Sequence, residues 1–146
     1  MPVEFEKTIR FFFDGVKPTL RKRKELKQFL KFVFASEGIE LASINFIFST
    51  DKVVYAVNKK FLGHDFFTDI VTFNLARKGD PIVADIYISV DRVRDNAIRQ
   101  CEPFHVELHR VIFHGTLHLC GYKDKSRSET REMRRKEDHY LAEYFE

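Results

Sequence analysis

The stretch His114-Gly-Thr-Leu-His118-Leu-Cys-Gly121-Tyr-Lys-Asp124 constrains this chain more than any other. Two histidines four residues apart lie one above the other on a single helix face. Gly121 follows three residues after the second, where a helix ends at little cost on a left-handed glycine. A reversal there brings Asp124 back towards the imidazoles. Two neutral imidazoles and one carboxylate make a three-ligand set, the pattern of catalytic rather than structural zinc. The competing interpretation is a core helix with two buried, hydrogen-bonded histidines. The pair, the helix-ending glycine and the third ligand together favour the metal.

The remaining elements follow from periodicity. Val3 to Phe13 holds an apolar run, Ile9 to Phe13, that suits a strand, and Asp14-Gly15 breaks it. Thr19 is a candidate helix cap, and Leu26, Phe29, Leu30, Val33 and Phe34 keep helical spacing within Leu20 to Glu37, before Gly38. Ile44, Phe46 and Phe48 alternate with polar residues as in a strand. Ser49-Thr50-Asp51 offers caps for a helix from Asp51 to Phe61, ending near Gly63. Thr68 to Leu75 and Ile82 to Val90 read as strands around the turn Arg77-Lys-Gly-Asp-Pro81. Asp91 to Arg99 is a short helix. Pro103 opens the metal helix, which runs to Leu119 or Cys120. Ser126-Arg-Ser-Glu129 is a capping box for a last helix, with Met133, Glu137, Tyr140, Leu141 and Tyr144 along one side. This order predicts an α+β fold: a small mixed sheet with helices packed on it.

Size and charge set the outer limits. The 146 residues suffice for one domain, 1–146, with a real core. A net charge of +3 permits an RNA partner without requiring one. The basic run Arg21-Lys22-Arg23-Lys24 with Lys27 is read as a solvated helix face in preference to a nucleic-acid contact. Cys101 and Cys120 form neither a C-x-x-C pair nor a disulfide framework. No stretch approaches the roughly 20 apolar residues of a membrane span, and acidic residues precede the first apolar run. The expectation is a cytoplasmic protein with no membrane partner.

His114-Gly-Thr-Leu-His118-Leu-Cys-Gly121-Tyr122 resembles the signature of the YbeY family, bacterial metal-dependent endoribonucleases of ribosomal RNA maturation and ribosome quality control. Asn58-Lys-Lys-Phe61, Thr68-Asp69-Ile-Val-Thr-Phe73 and Ala84-Asp85-Ile-Tyr-Ile-Ser89 are similar to further segments of that family, in the same order. The resemblance implies a four-stranded sheet with about five helices and a zincin-like metal helix. It implies one zinc, or another divalent ion, on His114, His118 and Asp124, with His114 also in a catalytic role. The implied substrate is single-stranded or ribosomal RNA, with the small ribosomal subunit as partner and no DNA. In this family an arginine commonly follows the Asn-x-x-aromatic segment. Leu62 stands there, which leaves phosphate stabilisation to another cation: Lys59, Lys60, His64, Arg77 and Lys123 are candidates.

Other functions stay in view. The spacing also fits the metalloprotease pattern H-E-x-x-H-x-x-G-x-x-H, with Gly115 in place of the glutamate base and Asp124 in place of the third histidine. A metallopeptidase therefore lacks its base, and a non-catalytic ribosome-associated factor with a structural metal is the third alternative. His105 and His109, on the opposite side of the metal helix, are read as non-ligands. Asp69 is expected to satisfy backbone N–H groups. Asp85 is divided evenly between that role and orienting an imidazole. Glu137 is expected to be a paired carboxylate at the edge of the core, with orientation of a ligand as its lesser alternative. Cys120 is expected to fill core space.

Overall fold

The computed structural model describes residues 7–146. The opening residues of the Val3 to Phe13 segment fall outside that range. The elements are β1 (Thr8–Phe13), α1 (Arg23–Ser36), β2 (Leu41–Ser49), α2 (Asp51–Leu62), β3 (Ile70–Asn74), β4 (Ile82–Ser89), α3 (Val90–Arg99), α4 (Phe104–Leu119) and α5 (Arg127–Phe145). The four strands form one mixed sheet in the order β1-β2-β4-β3. β1, β2 and β4 run parallel, and β3 pairs antiparallel with β4. The expected α+β architecture of four strands and five helices is present.

Alternation along β2 and β4 decides where the helices dock. Ile44, Phe46 and Phe48 are buried on β2, and Ala84, Ile86 and Ile88 on β4. Each fully buried aliphatic or aromatic side chain contributes on the order of 1.5–3 kcal/mol. Between them, Asn45, Ile47, Asp85 and Tyr87 point to the other, partly exposed face. Phe29 of α1 touches Phe113 of α4 and Tyr140 and Tyr144 of α5, joining three helices by ring contacts.

Two local expectations need revision. Thr19 does not cap α1: the helix begins at Arg23, and its N-cap Lys22 has left-handed backbone with no side-chain cap. Leu20 is buried ahead of the helix rather than within it. By contrast Thr50 does cap α2, accepting from the Val53 N–H at 3.3 Å, and Ser126–Glu129 forms both bonds of a capping box. The basic run behaves as a surface face, with Arg23 over Phe13 at 4.6 Å and Lys27 over Phe11 at 5.6 Å.

Gly115 sets the height at which α4 lies on the sheet. A Cβ there would stand 2.7 Å from Cδ1 of Ile70 and 3.2 Å from Cδ1 of Ile86. The helix backbone therefore sits directly on β3 and β4. Position 115 points into the sheet, so no carboxylate base can be mounted there.

Candidate metal centre

α4 carries a polar column one residue per turn: Arg110, His114 and His118. The helix stops after Leu119, and Gly121 takes φ +103, a left-handed value that a side chain rarely adopts. The reversal puts the Tyr122 carbonyl under His118, at 2.9 Å from Nδ1. Two residues on, Asp124 meets both rings. Its carbonyl also accepts from the Thr130 hydroxyl at 3.0 Å, which ties the turn to the start of α5.

The donor atoms converge. Asp124 Oδ2 lies 3.2 Å from His114 Nε2 and 3.3 Å from His118 Nε2. The two Nε2 atoms are 3.0 Å apart. A tetrahedral ion with bonds of about 2.0–2.1 Å spans donor–donor edges of about 3.3–3.4 Å, close to this triangle. Among the described residues, this is the one group of three or more such side chains placed to hold a metal ion.

Tautomers sharpen the point. His118 Nδ1 faces a carbonyl oxygen, which only accepts, so Nδ1 carries the hydrogen. His114 Nδ1 lies 2.6 Å from Oε2 of Glu137 and donates to that carboxylate. With the hydrogen on Nδ1, the neutral form of each ring points an Nε2 lone pair towards the Asp124 oxygen. Three lone pairs at this spacing repel unless a cation or an added proton lies between them. Burial alone would depress the His114 pKa. The hydrogen bond and charge of Glu137, with Asp69 and Asp124, outweigh burial and hold it above that of free imidazole.

Glu137 is a paired carboxylate, as expected, and it also fixes the His114 ring. Its side chain is 6% exposed, and besides His114 it accepts from Nη1 of Arg110 at 3.4 Å. Arg110 in turn donates to Asp138 at 2.7 Å. The sequence signal was a charged residue on the apolar stripe of α5. Asp85 does not orient an imidazole. Ile86 packs under Gly115, so its neighbour Asp85 points away from α4, where Asn45 Nδ2 donates to it at 3.1 Å. The Asp69 side chain accepts from Asn96 Nδ2 at 3.0 Å rather than from backbone N–H groups. His105 and His109 stay apart from the triad, as expected: His109 donates from Nδ1 to the His105 carbonyl at 2.6 Å and stacks on Tyr144. Burial pushes the Cys120 thiol up to about 12, so it is packing material.

Asp69, His114 and Asp124 line two adjoining clefts. One, of about 400 Å³, extends towards Asn96, Arg134 and Glu137. The other, of about 560 Å³, extends past Asn58, Leu62, His64 and Phe66 to Lys125. Of the five cations considered as substitutes for the family arginine, His64 lines these clefts. Lys59 lies 4.0 Å from Asp65, Lys60 covers the Phe61 ring, and Lys123 borders a separate depression. Lys125 borders the cleft and went unnoticed in the sequence, because its position depends on the turn after Gly121. A larger cavity of about 650 Å³ between the start of α4 and the end of α5 has no convergent donor set among the described residues.

Fold and triad together define an α+β protein that presents two imidazoles and a carboxylate at the junction of two clefts. Residues 15–145 match the family described as Endoribonuclease YbeY. The chain is 43% identical over 137 residues to the Endoribonuclease YbeY of Cytophaga hutchinsonii, covering 94% of this chain and 96% of that one. It is 42% identical to the Phocaeicola vulgatus protein of the same name, covering 92% and 96%. The solution structure of TM1509 from Thermotoga maritima superposes with a TM-score of 0.60 at 27% identity, over 94% of this chain and 89% of that one. The chain belongs to the YbeY family of endoribonucleases.

Proposed function

We propose that this endoribonuclease is a metal-dependent enzyme that cleaves single-stranded RNA, and that its work lies in ribosomal RNA processing and ribosome quality control. Residues 1–146 act as one domain, in the cytoplasm, on small-subunit ribosomal RNA. His114, His118 and Asp124 hold one zinc or another divalent ion. The observation that carries this reading is the convergence of Nε2 of His114, Nε2 of His118 and Oδ2 of Asp124 within 3.3 Å of one another.

A divalent ion in such a site supplies a Lewis acid for phosphoryl oxygens and lowers the pKa of water. The chain's own groups fix the geometry. Glu137 and the Tyr122 carbonyl each hold one Nδ1–H, so both rings keep the tautomer and tilt that ligation needs. His114 is the functional centre of the set, because it joins the cleft to the buried Arg110–Glu137 pair. Lys125 and His64, on the cleft wall, are placed to meet phosphate charge in the absence of the family arginine. Hydrolysis of a phosphodiester suits this set better than peptide hydrolysis. The protease base belongs at position 115, which the sheet occludes.

Purified protein should cleave a single-stranded oligoribonucleotide. Cleavage should stop with chelator, return with added zinc or manganese, and be absent in His114→Ala prepared in parallel. Undiminished cleavage by His114→Ala would overturn the proposal.

A further inference from the structure

We propose that His64 and Phe66 form a shelf on which one unpaired nucleobase stacks beside the triad. The proposal rests on the ribonuclease reading above and gives it a substrate-contacting subsite.

The α2–β3 connection is rich in exposed rings: Phe61 is 63% exposed, Phe66 54% and Phe67 51%. Two of these have partners that explain them. Phe67 stacks on Tyr55 and lies under the Arg92 guanidinium at 4.8 Å. Phe61 meets the edge of Phe73 and is covered by Lys60. Phe66 differs because it lines the 560 Å³ cleft that also contains His114, His118 and Asp124. Its ring lies nearly parallel to His64, with centroids 5.2 Å apart and planes 17° from each other. The two stacked rings both line this cleft, and Phe66 keeps about half of its surface exposed.

The shelf is built, not draped. Asn58 is 2% exposed, an unusual place for an amide side chain. Its side-chain Nδ2 donates to the Phe66 backbone carbonyl at 3.1 Å, and its backbone carbonyl accepts from the His64 N–H at 3.3 Å. Gly63, at φ +68, makes the reversal between them. One buried residue thus fixes both ends of the turn that carries the two rings, so little ordering entropy remains to be lost on binding.

Ring faces beside a phosphate-handling site match a nucleotide with its base turned out of a helix. Stacking of bases on aromatic side chains is tolerant of sequence and needs an unstacked base. Paired duplex bases already cover each other's faces and cannot use the shelf. Lys125 on the same cleft supplies the charge that a backbone phosphate requires.

The test uses zinc-loaded protein and a single-stranded hexaribonucleotide carrying 2-aminopurine. Its fluorescence is followed by stopped flow before cleavage, and KM and kcat are measured separately. Wild type is expected to quench 2-aminopurine. Phe66→Ala is expected to lose the quench and to bind about 5- to 100-fold more weakly, mainly through KM. Phe66→Tyr should retain both properties, and zinc content and thermal melting should stay at wild-type values in both variants. An oligonucleotide with an abasic position should bind wild type as weakly as the intact one binds Phe66→Ala. Equal affinity and quench in wild type and Phe66→Ala would overturn the shelf while leaving the nuclease intact. A zinc-loaded wild type that neither binds nor cleaves RNA would overturn the nuclease and the shelf together.

Discussion

Glu137→Gln isolates what the buried carboxylate does for the metal. The side chain keeps its shape, and its amide oxygen can still accept from His114 Nδ1–H, but the negative charge is gone. That charge sits 2.6 Å from Nδ1 on a side chain only 6% exposed, where water screens little. Loss of a partner of this kind typically weakens metal affinity 10–100-fold, or about 1.4–2.7 kcal/mol. The burial and short contact place this case in the upper half of the range. The fold should suffer less than a broken buried ion pair usually implies, about 3–5 kcal/mol. Arg110 keeps Asp138 at 2.7 Å and Glu107 at 3.7 Å. Zinc affinity is read by competition with a chromophoric chelator, alongside urea unfolding of the metal-free protein. A zinc affinity within twofold of wild type would refute the reasoning and leave Glu137 a purely structural residue.

Three more outcomes are expected. Gly115→Glu should destabilise the protein by more than about 2 kcal/mol in urea unfolding, because its Cβ would enter contacts of 2.7–3.3 Å with Ile70 and Ile86 and its charge would be buried. Under native conditions one thiol per chain should react with a disulfide reagent: Cys101 is exposed, whereas Cys120 is partly buried with a thiol pushed up to about 12; two should react in denaturant. Burial raises the Glu37 pKa, but the Tyr122 and Tyr140 hydroxyls and Lys136 outweigh it and hold the carboxyl below its usual value. The folded state then binds fewer protons than the unfolded one. The stabilisation is present above the ordinary carboxylate pKa and is lost as pH falls through the lowered one. Urea midpoints between pH 6 and pH 3 should therefore fall more steeply in wild type than in Glu37→Gln.

Legibility in the sequence followed the range of the interactions. The strands, the capping box at Ser126 and the histidine pair are set by spacing within a few residues, and each could be located from periodicity. Asp124 was legible because Gly121 fixes the reversal locally. Thr19 failed as a cap because the chain enters α1 through left-handed Lys22, a conformation that composition does not signal. Asp85 was left evenly divided because the choice depends on which face of β4 meets α4, and Gly115 against Ile86 decides that. The link from Glu137 to His114 spans 23 residues and two helices, so the sequence offered only a carboxylate on an apolar stripe.

Metal content measured directly on purified protein tests the central claim most closely. Wild type, His114→Ala, His118→Ala and Asp124→Ala are prepared side by side, checked for native melting, and analysed for bound zinc and other divalent ions after equilibration. One ion per chain is expected in wild type, with less than a tenth of that in either histidine variant and a clear loss in the aspartate variant. Full occupancy in all three variants would place the ion elsewhere and contradict the assignment of this triad.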